Sequence, residues 1–136
     1  MFRIMIIALL MSAQTDTASA STTCAGADPA IASVVVKGAH SGGGLNRYQL
    51  SGTIVNVGRA AQPSNTLQFV DIYKGSEKLD SKGIPPLNSG QSYTFSYVSV
   101  RSSDAGKGTT SLTFRLDVRQ ASQDCSTSND RYTVTF

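Results

Sequence analysis

Near its C-terminal end the chain reads SLTFRLDVR, Ser111 to Arg119, and alternates without interruption. Leu112, Phe114, Leu116 and Val118 fall on one side, and Thr113, Arg115, Asp117 and Arg119 on the other. A period of two is the pattern of a β-strand with one face in a core and one in water, and a helix cannot satisfy it. The same period recurs in RYQLSGTIVNV (Arg47 to Val57), where Tyr48, Leu50 and Ile54 alternate with Gln49, Ser51 and Thr53. It recurs again from Gln91 to Val100, where Tyr93, Phe95 and Tyr97 alternate with Ser92, Thr94 and Ser96.

Shorter runs complete the set. Ile31 to Lys37 carries the β-branched Val34-Val35-Val36, which suits a strand better than a helix. Leu67 to Tyr73 puts Val70 and Ile72 on one face and Asp71 and Tyr73 on the other; Asp71 is expected to face solvent or to pair with a neighbouring Lys. A turn at Lys74-Gly75-Ser76-Glu77 leads to a charged return, Lys78 to Lys82, suited to a sheet edge. Pro85-Pro86 breaks the ladder, Leu87 turns back to the core, and Asn88-Ser89-Gly90 makes the next turn. Arg131 to Phe136 closes the chain, with Tyr132, Val134 and Phe136 on one face. Seven strands with turn signals between them predict an all-β antiparallel sandwich.

The first twenty residues do not fit this pattern. MFRIMIIALLMSAQTDTASA has one basic residue, an apolar run from Ile4 to Met11 and Ala18-Ser19-Ala20 as a small-x-small cleavage site. This is the form of a secretory signal, and its apolar run is too short to span a bilayer. Residues 1–20 are therefore expected to be the signal and 21–136 one exported domain, periplasmic or extracellular, with no transmembrane segment. The net charge of +3 is scattered singly, with no basic run, which argues against nucleic acid. An exported chain with two cysteines, Cys24 and Cys125, predicts a disulfide between them. Closing a loop of about 100 residues would stabilise the fold by roughly 4–5 kcal/mol in the chain-entropy model.

Several stretches together resemble CARDB, the cell-adhesion-related domain found in bacteria. They are Thr53-Ile54-Val55-Asn56-Val57-Gly58, then Val70-Asp71-Ile72-Tyr73-Lys74-Gly75, then Leu87-Asn88-Ser89-Gly90-Gln91-Ser92-Tyr93-Thr94-Phe95, then Leu116-Asp117-Val118. The turn Asp124-Cys125-Ser126-Thr127-Ser128-Asn129-Asp130 is similar to the acidic, asparagine-rich turn before that domain's last strand. The resemblance spans nearly all of residues 21–136. It implies an immunoglobulin-like sandwich and an adhesion-type role.

Signals for chemistry are sparse. The single histidine, His40, opens the glycine-rich stretch His40-Ser41-Gly42-Gly43-Gly44, read as a flexible connection between strands. A phosphate cradle would need a helix to follow, and none does. Asp124, Asn129 and Asp130 could offer oxygens to calcium, but such side chains more commonly cap their own turn. Tyr93, Phe95 and Tyr97 fall on a core face and so do not read as a base-stacking platform. No catalytic residue, cofactor or metal is expected. The preferred reading is a non-enzymatic binding module whose partner is another protein of the cell envelope or exterior, or a polysaccharide. The alternative is a small inhibitor of an enzyme, presenting His40 to Leu45 or Ser102 to Gly108 as a loop.

Overall fold

The protein is a computed structural model in which residues 25–102, 108–120, 125–126 and 128–136 are described. The expected signal, residues 1–20, lies outside that set, as do Cys24 and Asp124. Seven strands follow in order: β1 Pro29–Gly42, β2 Leu45–Asn56, β3 Leu67–Lys74, β4 Glu77–Ile84, β5 Ser92–Ser102, β6 Ser111–Gln120 and β7 Arg131–Thr135. Every pairing is antiparallel. One sheet has the order β1-β2-β5 and the other β4-β3-β6-β7, so the expected all-β sandwich is what forms.

The alternation seen in the sequence is what builds the core. Leu50 and Ile54 of β2, Val70 and Ile72 of β3, and Leu112, Phe114 and Leu116 of β6 meet between the sheets with Leu87. Tyr48, Tyr97, Val118, Tyr132, Val134 and Phe136 pack around them, partly buried. Phe95 is buried and its ring lies 5.9 Å from that of Phe114. Tyr93 departs from the expectation: it is exposed, because it opens a strand at the margin of its sheet.

The glycine stretch is also different from its reading. β1 and β2 pair as far as Gly42 opposite Leu45, so the connection is only Gly43-Gly44. Both have positive φ, at 58° and 74°, the twist that a two-residue hairpin turn requires. His40 therefore stands in β1, exposed and opposite Arg47, and His40 to Leu45 is a tight hairpin rather than a flexible connection.

Two buried amide clusters fix the loops at one end. Asn56 is fully buried; its Oδ1 accepts from the N–H of Asp28 and of Gly58, both at 3.0 Å. Its Nδ2 donates to the carbonyls of Ala60 (2.9 Å) and Leu87 (3.1 Å). Gln62 and Gln68 exchange amide hydrogen bonds of 2.8 and 2.7 Å. Gln62 Oε1 also accepts from Leu87 N, and Gln68 Nε2 donates to Pro85 O. These side chains staple the β2–β3 and β4–β5 connections to each other, and so hold both sheets in register at that end.

Candidate interaction surface

The sandwich has two sides, and they differ. On one, β1 packs against β7, and Ile31 N donates to Asn129 O at 3.0 Å. On the other, β4 and β5 leave a groove of about 360 Å³, lined by Leu79 of β4, Tyr97 and Ser99 of β5 and Leu112 of β6, among others.

An edge strand offers unpaired N–H and C=O groups, and proteins usually blunt it with charge, bulges or brevity. Three of the four edges here are blunted. β1 carries register shifts between Ile31 and Ser33 and between Val36 and Gly38. β7 is five residues long. β4 has an irregularity at Leu79, and turns two charged residues inward: Asp80 and Lys82 stand opposite the core residues Ile72 and Val70 and pair at 3.3 Å. β5 has none of these devices. It runs for 11 residues and pairs with β2 in unbroken register from Ser92 opposite Val55 to Ser102 opposite Leu45. Its sole charge, Arg101, is drawn away from the edge. The guanidinium donates to Tyr48 Oη (2.7 Å), Gly108 O (2.7 Å) and Thr110 Oγ1 (3.2 Å), and lies over the Tyr48 ring. Val98 and Val100 face solvent beside this edge, which no described strand pairs, each about half exposed.

Tyr97 borders the groove from β5. Burial raises its phenol pKa above the ordinary 10.0, and the nearby Asp80 carboxylate adds to the rise. A raised folded value means that the neutral phenol favours the fold. That contribution is present below pH 10.0 and is lost as pH rises through the folded pKa. The Tyr97→Phe difference titration of tyrosinate absorbance is therefore expected to place Tyr97 above 10.0, and Asp80→Asn to leave most of the elevation.

The acidic turn before β7 serves as a structural tie. Asn129 Nδ2 donates to both carboxylate oxygens of Asp28, at 3.2 and 3.3 Å, instead of capping its own turn. Asn129 Oδ1 is enclosed and has no hydrogen-bond partner among the described residues. No group of three His, Cys, Asp or Glu side chains able to hold a metal occurs among the described residues. Asp71, expected to be solvent-facing or paired with a lysine, is on the outer face but buried. It accepts from Ser81 Oγ at 2.6 Å and pairs with Lys78 (3.4 Å) and Arg119 (3.7 Å).

No protein-family model matches this chain, and no curated protein does. Among solved structures it is similar to the crystal structure of the CARDB domain of a Pyrococcus furiosus protein, in complex with di-metal ions. The TM-score is 0.61 at 12% identity, over 83% of this chain and 89% of that one. The fold is CARDB-like. At that identity the likeness concerns architecture alone. It agrees with the strand and turn patterns that carried the sequence resemblance.

The groove residues and the β5 edge were not singled out by sequence reasoning. The sequence does show that Ser92 to Val100 lacks charge, whereas Lys78 to Lys82 is crowded with it. That contrast is the available signal for which edge is open.

Proposed function

We propose that this chain is an exported, non-enzymatic interaction module that captures an extended segment of another protein of the cell envelope or exterior. The segment joins the three-stranded sheet as a further strand beside β5. The supporting observation is the unguarded β5 edge in a fold whose other edges are blunted. Main-chain hydrogen bonds would supply the affinity, and the groove between β4 and β5 would select alternate side chains of the partner.

A photo-crosslinking residue at Val98, in cells that express the protein, tests this. It should capture a defined partner, and the same residue at Val35, exposed on β1, should not. Ser96→Lys/Val98→Lys puts charge beside the edge while leaving the core untouched, and should weaken that partner's binding by about tenfold or more without lowering the melting temperature. Capture from Val35 alone, or binding indifferent to the lysines, would refute strand addition at β5.

The disulfide belongs to the same proposal. The segment that follows Cys24 runs beside the turn that follows Cys125: Asp28 is held by Asn129, and Ile31 N by Asn129 O. Non-reducing mass spectrometry of the exported protein should find one peptide pair joined through Cys24 and Cys125. Two free thiols would overturn both the bridge and the argument for an oxidising compartment.

A further inference from the structure

The outer face of the four-stranded sheet holds a like-charge pair. Arg115 of β6 stands directly opposite Arg131 of β7, and both are exposed. Like charges opposite each other on one sheet face destabilise it. Neither arginine forms an ion pair among the described residues. The nearest acid by register, Asp71, is opposite Arg115 on β3, but its carboxylate is committed to Ser81, Lys78 and Arg119. Arg115 is instead held over the Tyr73 ring, 5.8 Å from its centroid. The two arginines border a hollow of about 340 Å³ whose other walls are Tyr73, Gly75, Ser76 and Thr113. No carboxylate among the described residues lines it. On its other side the arginines border a second hollow that includes Asp130, so an anion is better placed in the first.

We infer that Arg115 and Arg131 form a binding site for a carboxylated sugar unit of an acidic polysaccharide. Two arginines that border one hollow suit the oxygens of a carboxylate, and a bound anion offsets the like charge of the pair. The hydroxyls of Ser76 and Thr113 suit sugar hydroxyls, and Tyr73, with Arg115 over its ring, walls the hollow. A peptide partner would want an apolar anchor at the centre of its site. None of the large exposed apolar side chains among the described residues lines this hollow. This site lies on the opposite sheet from β5 and does not depend on strand addition there.

The test is calorimetric titration of the whole exported protein with polygalacturonate at low salt, with polyglutamate as the rival polymer. Arg115→Gln/Arg131→Gln should weaken polygalacturonate binding by roughly tenfold or more. The double variant should also melt no lower than the parent, because a repulsion has been removed. Lys37→Gln/Arg47→Gln, an equal charge change on the other sheet, should bind like the parent. Absence of polygalacturonate binding, or equal weakening by both pairs, would overturn the site. Polyglutamate binding as tightly as polygalacturonate would overturn the sugar assignment.

Discussion

Asn56→Ala is expected to lower the unfolding free energy by roughly 4 kcal/mol, a large part of the 5–15 kcal/mol that holds an ordinary domain together. The amide is fully buried and makes four hydrogen bonds, to Asp28 N, Gly58 N, Ala60 O and Leu87 O. Truncation strands all four partners. Each costs about 1–3 kcal/mol if left dry, and water entering the vacated space lessens the total. Three separate segments lose their common tie: the lead into β1, the loop after β2 and the approach to β5. Asn56→Asp keeps the acceptor oxygen, loses both donated bonds and buries a charge, so it should be no milder. Urea unfolding followed by circular dichroism measures both. A loss below about 1 kcal/mol would show that the amide is not the staple described here.

Gly52→Ala is expected to cost about 3 kcal/mol, although alanine suits a strand better than glycine. Gly52 pairs with Phe95 across β2 and β5, and the ring of Phe95 lies over it. A Cβ at Gly52 would sit 2.2 Å from the Phe95 ring. The ring cannot retreat freely, because it is buried against Phe114. Phe95→Leu removes the ring edge that the new methyl meets. The double variant should therefore be more stable than the sum of the two single losses by about 1 kcal/mol or more. Simple additivity in the double-mutant cycle would mean that the strain is absorbed elsewhere.

Both residues were partly legible in the sequence. On β2 the core face is occupied by Tyr48, Leu50, Gly52, Ile54 and Asn56, every second residue. The same parity that identifies Leu50 as core marks a glycine and an asparagine as core too. Asn56 is also the last residue of β2, and its buried side chain ties the loops there. Gln68 shares parity with Val70 and Ile72 in the same way, and is buried with them. Strand existence was legible throughout because alternation is local. What was not legible depends on pairing between distant segments. No local pattern states that β5 pairs only β2, that Arg115 meets Arg131, or that Asp71 is enclosed by Lys78 and Arg119. The glycine run also misled: glycine signals a turn, but its length as a loop is set by how far β1 and β2 pair.

Strand addition is main-chain pairing at β5, and amide hydrogen exchange reads that pairing residue by residue. With the partner captured from Val98, exchange should slow at alternate residues of Ser92–Ser102, those whose N–H groups point away from β2. The β1 and β7 edges should be unchanged. Protection confined to the Gly43-Gly44 hairpin or to the outer face of the four-stranded sheet, with β5 exchanging as in the free protein, would contradict it.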